Sequence, residues 1–274
     1  MARKISLAAI TLTDVPTDEA VRIAAETGYA GISISAGLNA SLGRNKRVTV
    51  INDVGLRRAT ERALGGTGID LDLVEGLAVE PNVDFERVRE GLLVMRDLGA
   101  RLFNLTVWDG DRARAMQTMR RYCGLADELG FGLTVEFTPL SRLGTLAETV
   151  ALIQTGELPG MKILPDPLHL ARADETPADL AAIDSALIGL AQLCDGPAHS
   201  PGHEAYLEEA LHNRQSPGEG ELPLRDFVRA LPPDIVISVE VPSRPLTEQG
   251  LTAYQRAERF HAGARSILES AEAV

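Results

Sequence analysis

A single (β/α)8 barrel over residues 1–274 is the fold this sequence predicts, and three observations predict it. Short β-branched or apolar runs alternate with longer helical patterns about every 30 residues, one rhythm along the whole chain. Eight such strand candidates are present and no half of the chain duplicates the other, which favours closure of the sheet. The first strand-to-helix turn has no GxGxxG fingerprint, which counts against the competing open, doubly wound sheet.

Taken in order, ISLAAITL (5–12) is the first strand. The preceding basic residues and short apolar run resemble a leader only superficially, because Thr11, Thr13 and Asp14 interrupt the run. Thr17, Asp18 and Glu19 open an apolar period that Gly28 stops, the capping pattern of a first helix. AGISIS (30–35) and IDLDLVE (69–75) are strands two and three. Asp84 opens a helix ending at Gly99, RLFNLTVW (101–108) is strand four, and Asp111 opens a helix ending at Gly130. FGLTVEF (131–137), MKILP (161–165), LIGLAQLC (187–194) and DIVISVEV (234–241) complete the set. Residues 195–222, rich in His, Pro and Gly, form a connection longer than the usual βα loop.

With 274 residues, 45% hydrophobic content and a net charge of −12, the chain can bury one large core and presents an acidic surface. That surface repels phosphate backbones and anionic lipid, so the expected partner is a small molecule, with no nucleic acid and no membrane. No apolar run approaches the roughly 20 residues needed to span a bilayer. Two cysteines, Cys123 and Cys194, are too few for a disulfide framework, and a cytoplasmic location is expected.

Four strand candidates of the second half end in an oxygen-bearing side chain: Glu136, Asp166, Gln192 and Glu240. A proline follows each of the three acids within three residues (Pro139, Pro167, Pro242), so each strand stops just beyond its acid. Barrel active sites lie at these C-terminal strand ends. Alternation puts Glu136 on the face of Thr134, Gln192 on that of Leu190 and Glu240 on that of Ser238, and this face is predicted to point inward. Taken singly, each acid could cap the next helix or pair with one of the 27 Lys and Arg residues. Four in succession point instead to a bound cation, because like charges at buried strand ends need a counterion. Three carboxylates and an amide are hard ligands, which favours one divalent Mn2+, Mg2+ or Co2+ ion.

The segments VEFTPLSRLGTL, DPLHLAR, AQLCDGP, HNRQSPGEGELPL and SVEVP resemble the xylose-isomerase-like TIM barrels. That family includes sugar phosphate isomerases and epimerases, inosose dehydratases and metal-dependent 3-dehydroshikimate dehydratases. The resemblance implies that Glu136, Asp166 of the DxxH motif, Gln192 and Glu240 hold the metal, and that the protein is a homodimer or homotetramer. Gln192 departs from the epimerase pattern, in which this strand end carries His. The Gln form is similar to the 3-dehydroshikimate dehydratase branch.

His169, three residues after Asp166, can serve as acid, base or substrate donor, or be a histidine hydrogen-bonded within the rim. Arg214 matches a substrate-binding arginine of the family and has the fork to hold a carboxylate, phosphate or enolate oxygen, or it is a solvated surface side chain. The family pattern also singles out His212 for the substrate, whereas His199 and His203 read as exposed loop residues. PGEG (217–220) reads as support for Arg214 and not as a phosphate loop. Glu75 and Trp108 end strands three and four, where Trp108 offers an apolar pocket wall or packs on the rim. Cys194 reads as a small apolar side chain. Substrate specificity is expected from loops 36–50, 108–115 and 195–216.

The implied activity is a metal-dependent isomerase or epimerase acting on a polyhydroxy ketone through an enediolate, with Glu136 and Glu240 as base and acid. The alternative is a dehydratase of a cyclic hydroxyketone such as 3-dehydroshikimate, with His169 as the leading base. Two further readings are an abasic-site endonuclease, opposed by the acidic charge and the five histidines, and a non-catalytic binding protein on the same barrel.

Overall fold

The computed structural model describes residues 3–38 and 48–273. Its elements run β1 (Ile5–Leu7), α1 (Thr17–Glu26), β2 (Gly31–Ser35), α2 (Val54–Thr67), β3 (Asp70–Val79), α3 (Phe85–Asp97), β4 (Leu102–Val107), α4 (Arg112–Leu129), β5 (Gly132–Glu136) and α5 (Leu146–Gln154). Then follow β6 (Met161–Leu164), α6 (Pro167–Arg172), α7 (Pro177–Ala182), β7 (Ala191–Leu193), α8 (His203–His212), α9 (Leu224–Ala230), β8 (Ile237–Val239), α10 (Arg244–Glu248) and α11 (Ala253–Glu272). All eight strands are parallel in one sheet ordered β6-β5-β4-β3-β2-β1-β8-β7. A parallel bridge of Ile163 with Ile188, and the Gln192 N–H donating to Pro165 O at 2.9 Å, bring the β6 and β7 edges together. The result is the (β/α)8 barrel.

Helix boundaries follow the capping chemistry legible in the sequence. Asp84 caps α3 through the Arg87 N–H, Asp111 caps α4 through Ala113 and Arg114, and Gly130 ends α4 in a left-handed turn. The strands follow the predicted order with altered lengths. β1 stops at Leu7, because residues 9–14 turn, and β7 retains only Ala191–Leu193, because Ser185–Leu187 winds into a 3₁₀ turn. β3 runs past Glu75 to Val79, so Glu75 does not end its strand. The connection after β7 holds the helix α8, and His203 opens that helix instead of lying in a loop. Most of the loop 36–50 lies outside the described residues.

The core has two parts. Apolar residues of the strand exteriors and inward helix faces form the large one, including Phe103, Phe131 and Tyr122, whose hydroxyl donates to Ala78 O at 3.0 Å. Inside the barrel, Leu73, Leu164 and Leu190 form a separate apolar plug, with Leu102 and Val236 against it. Alternation along β6 and β7 carries the chain from Leu164 to Asp166 and from Leu190 to Gln192 on one face. The plug is therefore the floor on which the polar mouth stands.

Candidate active site

Strand ends β5 to β8 deliver four side chains to the mouth, each by a different local device. Glu136 is the last residue of β5, and its Oε2 accepts from Asn104 Nδ2 at 2.8 Å. Asn104 is itself fixed by the Thr134 hydroxyl at 2.9 Å. Asp166 is the N-cap of α6, accepting the N–H groups of Leu168 (2.7 Å) and His169 (3.2 Å), with Pro167 setting the first helical turn. Gln192 sits in β7 and donates through Nε2 to Glu240 Oε1 at 2.7 Å. Glu240 lies one residue past β8, and its N–H donates to Leu193 O at 3.0 Å. The predicted inward face is the observed one: Thr134, Leu190 and Ser238 are all buried on it.

Arg214 is the centre of this constellation. Its guanidinium is buried, bonds Asp166 through Nη1, pairs with Glu240 Oε2 at 2.8 Å through Nη2, and donates through Nε to Ala210 O at 2.8 Å. The solvated alternative is therefore excluded for Arg214. Expected to grip the substrate, it lines the pocket and also ties together two of the predicted metal-binding acids. Burial alone would raise Asp166, but Arg214, His169 and the backbone N–H of His169 outweigh it and hold this carboxyl below the usual range. Glu240 goes the other way. Burial pushes its carboxyl well up, and although Arg214 opposes the shift, repulsion from Glu75, Glu136 and Asp166 adds to it.

His169 is buried at the rim with both ring nitrogens engaged. Nε2 lies 3.2 Å from Glu136 Oε1, and Nδ1 is 2.6 Å from the Tyr206 hydroxyl, which is 2.8 Å from Thr138 Oγ1. The predicted acid-or-base and rim readings thus coincide in one side chain. Tyr206 and Thr138 went unnoticed in the sequence, since a tyrosine in the first turns of a helix after a long connection carries no periodic signal of its own. Asn104 was also missed, although an Asn inside a strand is a residue strands disfavour.

Trp108 lines the pocket as expected, with its Nε1 donating to Thr106 Oγ1 at 2.8 Å, and Glu75 lines it as well. His212 is not brought to the pocket. It ends α8 with its ring 42% exposed and 4.0 Å from Glu208, one helical turn back, because the helix that delivers Tyr206 inward turns His212 outward. PGEG is held by the Asp195 carboxylate, which accepts the N–H groups of Gly218 (2.9 Å) and Leu222 (3.1 Å). Cys194 is fully buried, its Sγ 3.2 Å from Arg214 Nη1, and burial with Asp166 nearby drives its thiol well above the usual range. The pocket is a concave space of about 690 Å³ open to solvent, with Leu140, Leu207 and Leu211 on its apolar side.

The donor set suits a divalent ion. Donor atoms of Glu136, Asp166 and His169 lie within 4.8 Å of one another. Among the described residues, the buried Gln192 Oε1 has no hydrogen-bond partner, while its amide N donates to Glu240. An orphaned acceptor on an amide hydrogen-bonded to Glu240, in a pocket that Glu136 and His169 also line, fits a hard cation. His169 joins the set that the sequence had limited to Glu136, Asp166, Gln192 and Glu240, while Glu240 is engaged by Arg214 and Gln192.

The xylose isomerase-like TIM barrel family pattern matches residues 21–267, so the chain belongs to that family. No curated protein matches the sequence significantly. Among solved structures it is similar to the IolI protein with a bound zinc atom (TM-score 0.73, 15% identity, 99% of this chain and 100% of that one). It is also similar to D-psicose 3-epimerase in the presence of D-fructose (0.69, 15%, 97% and 99%). A third is the probable 3-DHS dehydratase AsbF from Bacillus anthracis (0.72, 16%, 93% and 97%). The chain spans 42% of a longer xylose isomerase-like TIM barrel/4-hydroxyphenylpyruvate dioxygenase fusion protein (0.77, 18%, 97% of this chain). Likeness at these identities establishes the fold. Among the described residues no helix is long and apolar enough to cross a membrane.

Proposed function

We propose that this barrel is a divalent-metal-dependent isomerase or epimerase that moves a proton alpha to the carbonyl of a polyhydroxy ketone. The observation that carries the reading is the orphaned Gln192 Oε1 in a pocket that Glu136, His169 and Glu240 also line, with donor atoms of Glu136, Asp166 and His169 within 4.8 Å of one another. Glu136, Asp166, Gln192 and His169 would hold the ion, with Glu240 joining on release from Arg214. A divalent ion there supplies Lewis-acid polarisation of the substrate carbonyl. Support comes from the family membership and from the zinc atom and epimerase among the structural neighbours.

The protein's own side chains account for the proton. Glu136, with one oxygen held by Asn104 and the other facing His169, is placed to take the alpha proton. Glu240, whose carboxyl burial pushes well above its usual range, is placed to return one from the β8 side, which gives epimerisation on the opposite face or isomerisation at the next carbon. Arg214 holds Asp166 in register while the charge develops, and holds Glu240 until that carboxyl turns to the ion. The apolar side of the pocket limits water.

A dehydratase is the second reading, favoured by the Thr138–Tyr206–His169 chain, which fixes a histidine with its Nε2 toward the reaction space. The probable 3-DHS dehydratase among the neighbours supports it. One experiment tests both. Mn2+-loaded protein is incubated in D2O with ketoses and the alpha-proton signal followed by NMR, and in parallel with 3-dehydroshikimate while aromatic ultraviolet absorbance is followed. Alpha-proton exchange that Glu136→Gln lowers by about 10³-fold is expected. No exchange, with an aromatic product at enzymatic rate, would replace the first reading by the second.

A further inference from the structure

The wall opposite the acids carries a side chain that the proposed chemistry does not use. β3 and β7 are four strands apart in an eight-strand ring, so Glu75 faces the pocket from across the barrel from Gln192. Glu75 is 5% exposed, and burying an acid in a strand is costly unless it has a purpose there. The backbone is deformed to present it. Pairing of β3 with β4 shifts register between Val74 and Leu77, and Gly76 takes φ +77°. A Cβ at Gly76 would sit 2.6 Å from Ser35 Oγ and 3.1 Å from Gly37 N, so both the conformation and the space require glycine. The carboxylate is then clamped: the Ser33 hydroxyl donates to Glu75 Oε1, and Ser33 Oγ accepts the Ala9 N–H at 2.9 Å.

The cations of the pocket make the consequence specific. Among the described lining residues, histidine aside, Arg214 is the one cation, and both its terminal nitrogens are bound to Asp166 and Glu240. On the β3 side, across the barrel from the strand ends that would hold the ion, a phosphate or carboxylate on the substrate would meet Glu75, and among the described lining residues no guanidinium is free to offset it. Hydroxyl groups would meet fixed acceptors.

We propose that Glu75 is the specificity-determining residue of this site, a clamped acceptor that selects uncharged polyol ketones by their hydroxyl groups and rejects phosphorylated or carboxylated ones. This rests on the reading of the site as one for polyhydroxy ketones. The test is binding, so that it stands apart from turnover. Calorimetry on the Mn2+-loaded full chain uses D-fructose, D-tagatose and 2-keto-myo-inositol as neutral probes, and D-fructose 6-phosphate and 3-dehydroshikimate as anionic ones. Wild type is expected to bind at least one neutral probe at least about tenfold more tightly than either anion, with Glu75→Gln narrowing that ratio by about tenfold or more. Ser33→Ala, which leaves the carboxylate but frees it, should weaken neutral-probe binding without improving anion binding. Equal melting temperature and metal content across the variants exclude misfolding as the cause. Preference for an anion, binding of no neutral probe, or an unchanged ratio in Glu75→Gln would overturn the proposal. Loss of alpha-proton exchange with the binding pattern intact would overturn the catalytic reading alone.

Discussion

The two walls of the barrel mouth solve the same problem, how to keep polar groups in a dry interior, by different means. The wall from β5 to β8 stacks charge: Glu136, Asp166 and Glu240 share Arg214 and His169, supplemented by backbone N–H groups and by the Gln192 and Asn104 amides. The wall from β2 to β4 uses uncharged donors: Ser33 to Glu75, Asn104 to Glu136, Trp108 to Thr106. A neutral wall tolerates the loss of one member, because the partner left behind is polar or a single acid. The charged wall does not, since each member removed leaves an uncompensated buried charge. Chemistry that needs movable charge belongs on the second kind of wall, and selection of the substrate belongs on the first.

The sharpest way to break that contrast is Arg214→Met. It strips the shared counterion from Asp166 and Glu240, and a loss of about 3–5 kcal/mol in urea unfolding is expected for the metal-free protein. Added Mn2+ should raise the melting temperature of this variant more than that of wild type, since it replaces a missing cation; an equal rise in both would count against a cation site among these acids. Asn104→Leu on the neutral wall should cost less, about 1–3 kcal/mol, by leaving Glu136 Oε2 unpaired and the Thr134 hydroxyl with only its long bond to Phe103 O at 3.4 Å. If the two variants lose the same stability, the walls do not differ in kind. Tyr206→Phe is smaller still: it removes the hydroxyl that orients His169, and kcat should fall about tenfold with KM unchanged. A change confined to KM would mean that Tyr206 serves the substrate instead.

The charged wall was legible in the sequence and the neutral one was not, for a physical reason. Acids at the ends of apolar strands contradict burial so strongly that Glu136, Asp166 and Glu240 announce a common site, and the barrel rhythm says where it lies. Ser33, Asn104, Thr134 and Thr138 are ordinary occupants of turns and half-buried strands, so their convergence becomes visible only when β2, β4 and β5 are closed into a ring. Arg214 shows the limit in the other direction. The loop-borne arginine could be singled out, but the two acids that would claim it lie 48 and 26 residues away in sequence. His212 fails for a local reason, because α8 turns it outward where the sequence showed only a loop.

The smallest expected effect lies outside both walls and separates scaffold from site. His261 on α11 packs edge-on against Tyr29 at 4.8 Å, and the Tyr29 hydroxyl donates to Ala257 O at 3.1 Å, fastening α11 to the turn before β2. Burial, with Arg265 nearby, lowers the His261 pKa below its usual value. The unfolded chain therefore takes up the proton first as pH falls. The contribution is fully present above the ordinary histidine pKa of about 6.5 and is lost as pH drops through the lower, folded value. Because the ring is only half-buried, the fall should be slight, on the order of 1 °C in melting temperature between about pH 7 and pH 5, over and above the change in a His261→Asn variant. The metal-dependent part of the melting temperature should be the same in His261→Asn and wild type at each pH. A difference there would mean that the outer helix and the acid wall are coupled, and that the division between a scaffold and a charged mouth is drawn in the wrong place.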